Sequence, residues 1–190
     1  MPAPASTFWR VFPWDPAAPP GEPFSASFVP GGQGSGRFDV LPGRVLYLAE
    51  SPEHAVAEKI QRFRAHELEP WDLTEFGRAL ALVPVELAPA PAARVADLCD
   101  PAVLLEHGVR PDQVAARSRD TTRAIAAGLH ARGLAGLRWW SAMWGEWHAV
   151  TLFLDRLAEG DLRWGKPEPL SLDHPAVREA ADALMIRRKG

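Results

Sequence analysis

The sequence predicts an α+β domain, and three observations carry that expectation. Short apolar runs bounded by turn residues, Val45-Leu46-Tyr47-Leu48-Ala49 foremost, have the length of strands rather than of helices. Helix start signals such as Ser51-Pro52-Glu53 and Asp100-Pro101 lie between them. Two late runs, 137 to 141 and 148 to 154, are separated by six residues and are expected to pair as an antiparallel hairpin.

A chain of 190 residues, 47% apolar and 24% charged, can bury one real core, so one domain is expected. A net charge of −3 without any Lys/Arg run argues against a direct nucleic-acid partner. Cys99 is the only cysteine, which excludes an intrachain disulfide framework and a cysteine-rich zinc site. The N-terminus lacks the basic and apolar regions of a leader, and no apolar run reaches the ~18 residues of a membrane span. A cytoplasmic protein without membrane contact is the expectation.

Residues 7 to 12 alternate as a first strand carrying Arg10, and five prolines from Pro13 to Pro23 then forbid regular structure. Arg10 reads either as an edge-strand arginine reaching water along its stem or as a buried anion holder. Residues 31 to 36 form a glycine-rich loop ending on Arg37. A phosphate loop of the Walker or Rossmann type is excluded, because Arg37-Phe38 leads to Asp39 and Pro42 rather than to Lys-Ser/Thr or a helix. A mobile lid carrying an arginine and a plain hairpin tip remain as readings.

After the strand at 45 to 49, Ser51 is the expected N-cap of a helix over 53 to 66, with Pro52 at its first position. At 100° per residue Glu58 lies opposite the stripe of Val56, Ile60 and Phe63, so it points away from the helix's core contact. It is either a solvated residue paired with Arg62 or a functional carboxylate walled in by another segment. Residues 80 to 87 read as a strand in which Pro84 suggests an edge or a bulge. Val95 joins a short strand, Asp100 caps a helix ending near Gly108, and 111 to 132 hold one or two helices with Gly133 as stop. In the strand at 137 to 141, Leu137, Trp139 and Ser141 share one face. The chain is then polar until Asp173, the expected cap of a last helix burying Val177, Ala181 and Leu184.

Ser141 lacks a Gly-x-Ser-x-Gly elbow, which speaks against a serine hydrolase. The histidines at 54, 66, 107, 130, 148 and 174 never fall at metal-ligand spacing, so no metal is expected. Four of the eight tryptophans fall in 139 to 147, a cluster that core packing explains more readily than ligand stacking.

Gly36-Arg37-Phe38-Asp39, the strand with Tyr47, Ala55-Val56-Ala57-Glu58 and Trp139-Trp140-Ser141-Ala142 follow one another in an order and spacing that resembles the RES-domain family. These bacterial proteins are named for an Arg, a Glu and a Ser, and many are toxins that destroy NAD. The resemblance runs from about Phe8 to Phe153. Asp39 departs from the usual Asn, and His148 stands where an Asn is common.

The resemblance implies an ADP-ribosyltransferase-like fold, a mixed curved sheet with flanking helices around an NAD cleft. That domain is expected over 1–160, with 161–190 as an extension whose terminal helix packs on it. The implied reaction is phosphorolysis of NAD to nicotinamide and ADP-ribose 1″-phosphate, with NAD a consumed substrate, inorganic phosphate the co-substrate and no cofactor. Arg37, Tyr47, Glu58 and Ser141 would be the catalytic set, and Arg10, Gly36 and Phe38 would bind NAD. Water or a protein side chain as acceptor would instead make the chain a glycohydrolase or an ADP-ribosyltransferase. An interaction module that has lost the chemistry is the non-enzyme alternative. A small Xre-like antitoxin is the implied partner, and a homodimer is left open.

Overall fold

The computed structural model describes residues 6–31, 34–141 and 144–189, and divides them into two compact units interleaved along the chain. The class is α+β with mostly antiparallel strands, as the sequence predicts.

The first unit is built mainly from Val29–Leu48 and Leu87–Arg163. It holds most of β2 (Val45–Ala49), with β5 (Val95–Asp97), β6 (Gly136–Trp140) and β7 (His148–Phe153), in the order β2, β7, β6, β5. Strands β6 and β7 form the expected antiparallel hairpin, with Gly136 opposite Leu152 and Trp140 opposite His148. Strand β5 runs parallel to β6, pairing Val95 with Gly136, so the chain must cross back between them. Helices α3 (Pro101–His107), α4 (Pro111–Val114) and α5 (Arg119–Ala131) make that crossing, and a single turn, α2 (Pro89–Ala92), precedes β5. Asp100 caps α3 by accepting from the Ala102 N–H at 2.8 Å, and Gly108 ends it at φ 65°. Ser118 caps α5. The core gathers Phe38, Val45, Leu98, Ile125, Leu129, Leu137, Trp139 and Phe153 between α5 and the strands.

The second unit comprises Thr7–Phe28, Ala49–Glu86 and Trp164–Gly190. It holds most of β1 (Ser6–Pro13), then β3 (Thr74–Glu75), β4 (Arg78–Leu87) and β9 (Glu168–Pro169). A further short strand, β8 (Leu162–Trp164), precedes β9. Strand β4 has β1 on one side and β3 and β9 on the other, so of the two readings of Pro84, an edge or a bulge, the edge does not hold. Pro84 costs the strand one donor, but its carbonyl still accepts from Gly165 N–H at 2.9 Å, with the ring against the Cβ-less face of Gly165.

Helix α1 (Pro52–Ile60) begins on Ser51, whose hydroxyl accepts from the His54 N–H at 3.3 Å. It gives way to one 3₁₀ turn at Gln61–Phe63 rather than running to 66. Its inner face, His54, Ala55, Val56, Ala57 and Ile60, packs on α6 (Pro175–Ala183), which buries Val177, Ala180 and Ala181. The cap of α6 is His174, one residue past the expected Asp173, with its ring Nδ1 accepting from Ala176 N–H at 3.2 Å. Beyond α6 the chain is tied to Leu68, whose N–H donates to the Arg187 carbonyl at 2.7 Å. No helix among the described residues is long and apolar enough to cross a membrane.

Candidate active site

Four of the seven residues singled out in the sequence meet in the first unit, where the glycine loop runs into β2. Gly36 N–H donates to Asp39 Oδ2 at 2.7 Å, and the Tyr47 hydroxyl donates to Asp39 Oδ1 at 2.7 Å. The same hydroxyl accepts from Phe38 N–H at 3.0 Å. A side chain at Gly36 would overlap both the Asp39 carboxylate and the Tyr47 hydroxyl, so only glycine lets the three groups close up. Burial and the bond to Asp39 push the Tyr47 phenol far above its ordinary range, so it is a fixed neutral donor.

Arg37 is held at both ends. Its carbonyl accepts from the Thr122 hydroxyl, and its guanidinium Nη2 donates to the Val114 carbonyl at 2.7 Å. The guanidinium lies over Trp139, 5.3 Å from the ring centroid, and 5.8 Å from that of Phe38. Phe38 is wholly buried and its ring meets Trp139 at 5.0 Å and 53°. Trp139 is itself fixed, its indole N–H donating to the buried Thr151 hydroxyl at 3.2 Å. Arg123, next to Thr122 in the first turn of α5, bonds the carbonyls of Gly36, at 3.3 Å, and Gly34. The described part of the loop is therefore pinned to α5; Gly32 and Gln33, on which the lid expectation also falls, lie outside the described residues.

Ser141 follows β6 on the face of Leu137 and Trp139, as the alternation predicts, and is 3% exposed. Its N–H donates to the Trp147 carbonyl at 2.6 Å. Ala142 and Met143 lie outside the described residues. The tryptophan cluster divides: Trp139 is core, whereas Trp144 is exposed and stands 6.0 Å from the Trp147 ring.

Arg10 and Glu58 belong to the second unit. Arg10 sits on β1 between β4 and the Trp9–Ala49 pairing, not at an edge. One side of its guanidinium donates to the carbonyls of Ala26 at 2.6 Å and Phe28 at 2.8 Å, and it lies beside Phe12 and Trp164. Burial brings it down to about 10, so at neutral pH it is still a cation. Glu58 stands on the outer face of α1 with its side chain 46% exposed, where the helical period puts it. Its partner is not Arg62, which lies over Phe63 at 4.8 Å. Glu58 Oε1 is instead 3.4 Å from Nε2 of the buried His54, and Oε2 accepts from Gln61 Nε2 at 3.1 Å. One carboxylate oxygen is thus held from the turn after its own helix, and the other faces His54.

Asp39, Thr122 and Arg123 were not readable as site residues. Asp39 carries a local signal, a carboxylate three residues after Gly36, whereas Thr122 and Arg123 lie more than 80 positions from the backbone they hold. Among the described residues no group of three His, Cys, Asp or Glu side chains could hold a metal ion.

The chain matches known proteins at the level of family and fold. No curated protein sequence matches the chain. Among solved structures, the fold is similar to a chain in the crystal structure of the M. tuberculosis MbcT-MbcA toxin-antitoxin complex, with a TM-score of 0.57 over 96% of this chain and 89% of that chain. Sequence identity there is 18%, so the likeness is one of fold. The RES domain model matches residues 7–184, a span that takes in Arg10, Arg37, Tyr47, Glu58 and Ser141; the chain belongs to the RES domain family.

Proposed function

We propose that this protein cleaves NAD at the nicotinamide–ribose bond, by phosphorolysis to nicotinamide and ADP-ribose 1″-phosphate, as the toxin of a toxin–antitoxin pair. The observation that carries the reading is Arg37, a cation held by Val114 and Thr122 over Trp139 at the end of a glycine loop. A planar guanidinium in such a seat suits a pyrophosphate or an attacking phosphate, which it can take by paired charge-assisted bonds.

In this reaction the C1″–N bond breaks with its electron pair leaving on nicotinamide, and an oxygen of inorganic phosphate forms the new bond to C1″. Positive charge develops on the ribose between the two events. Glu58, a carboxylate held by a hydrogen bond from Gln61, is the group suited to stabilise it. Arg10 supplies the second cation for phosphate oxygens, and Ser141 a hydroxyl for a ribose or amide group. Tyr47 offers its ring, since its O–H is engaged within the loop. Family membership and the toxin–antitoxin character of the structural neighbour support the toxin role and an antitoxin partner, for which an Xre-like protein remains the proposal.

The test is product analysis of NAD incubated with the purified protein and a chelator, with and without phosphate. Nicotinamide release dependent on phosphate, with ADP-ribose 1″-phosphate as the second product, is expected. Free ADP-ribose at every phosphate level would assign water as the acceptor, and no release from folded protein would sink the enzyme reading.

A further inference from the structure

The contacts of Asp39 reach beyond the residue itself. It is 3% exposed, yet its two oxygens accept from donors on two different segments, Gly36 N–H on the loop and the Tyr47 O–H on β2. The Tyr47 oxygen in turn accepts from Phe38 N–H. The backbone on either side of Arg37 is therefore fastened through one buried carboxylate and one phenol. Gly36 is fixed by its N–H to Asp39 and Phe38 by its N–H to Tyr47.

We infer that Asp39 and the Tyr47 hydroxyl form a latch that sets the aim of Arg37, and that both are positioning residues. The inference rests on the reading of Arg37 as an NAD-binding group. The chemistry of the latch is directional. A carboxylate only accepts, so it can satisfy two donors at once, whereas an asparagine at 39 has one accepting oxygen and turns an N–H₂ toward either Gly36 N–H or the Tyr47 O–H. The Tyr47 oxygen already takes the Phe38 N–H, and its own proton needs an acceptor, which Asp39 Oδ1 provides. Asp39 thus suits the latch better than an amide would. With its O–H already donating to Asp39, the hydroxyl has no hydrogen bond to donate to substrate.

The test compares Tyr47→Phe, Asp39→Ala, Asp39→Asn and the Tyr47→Phe/Asp39→Ala double variant by amide hydrogen exchange and steady-state kinetics with NAD. Tyr47→Phe removes the acceptor of the Phe38 amide, and Asp39→Ala that of the Gly36 amide. Each amide is expected to exchange about 10-fold faster or more in its variant, the scale of a buried hydrogen bond lost. KM for NAD should rise by a similar factor while kcat changes much less, and Asp39→Asn should fall between Asp39→Ala and wild type. Because the two groups serve one latch, the double variant should be no worse than the poorer single one. A fall in kcat on Tyr47→Phe, with KM and amide protection unchanged, would mean that the hydroxyl acts on substrate and would overturn the inference. Additive effects in the double variant would do the same. If the wild type does not cleave NAD, the proposed function falls while amide exchange still decides the latch: unchanged protection of Gly36 and Phe38 overturns it. Should Tyr47→Phe fail to fold, Asp39→Ala and the near-isosteric Asp39→Asn still test the latch from the Asp39 side, through KM and the protection of the Gly36 amide.

Discussion

Glu58→Gln is expected to lower NAD turnover by about 100-fold to 1,000-fold, the usual cost of removing one electrostatic contact made to the transition state. The substitution keeps the volume of the side chain and removes its charge. The half-exposed position means that the fold should not suffer, since the inner face of α1 is carried by His54, Val56, Ala57 and Ile60. Glutamine can still accept from Gln61 through its one carbonyl oxygen, so a loss of activity reports on charge rather than on a collapsed helix end. The comparison extends to cells. Expression of the wild-type chain without a partner should deplete NAD and arrest growth, and matched soluble levels of the variant should do neither. Near-wild-type turnover by the variant would reduce Glu58 to a solvated residue tied to its own helix.

Phe38→Ala is expected to destabilise the first unit by about 3–5 kcal/mol, the range for removing a large buried aromatic. Against a total stability of about 5–15 kcal/mol, that is a sizeable part of the margin. Phe38 is wholly buried, it packs on Trp139, and its ring forms part of the floor under Arg37. Leu41→Ala, three residues on and 57% exposed, is the control and should change stability by about 0.5 kcal/mol or less. Denaturant midpoints at unchanged slope would measure both. A Phe38→Ala cost no larger than that of Leu41→Ala would show that the loop packs independently of the core.

What could be read from the sequence followed the local signals. The bounds of β2, the Ser51 cap, the β6–β7 hairpin and the outward direction of Glu58 all depend on neighbours within a few residues, where period and turn chemistry act. The same local reasoning gave Glu58 the wrong partner. Arg62 has the right spacing, but its guanidinium is drawn over Phe63, and the hydrogen bond to the Glu58 carboxylate comes from Gln61. The short strands β3, β8 and β9 were invisible, because two or three residues carry no period and are fixed by the strand they pair with. Asp39 registered only as a departure from the family's usual Asn. Its meaning depends on Tyr47, whose hydroxyl reaches it across eight positions of chain.

Tyr47 is the only tyrosine in the sequence, which makes the phenol at the centre of the loop an optical probe that needs no label. Freed from the fold, it would ionise near the ordinary phenol value of about 10, whereas in place it is held protonated well above that. The sign of the linkage follows. Above about pH 10 the unfolded chain has lost a proton that the folded chain keeps, so this residue's contribution to stability is complete below that pH and shrinks as pH rises beyond it. Tyrosinate absorbance should therefore emerge late and steeply in an alkaline titration, in step with the loss of tertiary circular dichroism. A shallow one-proton curve centred near 10, recorded while the protein is still folded, would place the hydroxyl in water. The eight tryptophans do not ionise in this range, so the signal belongs to one atom.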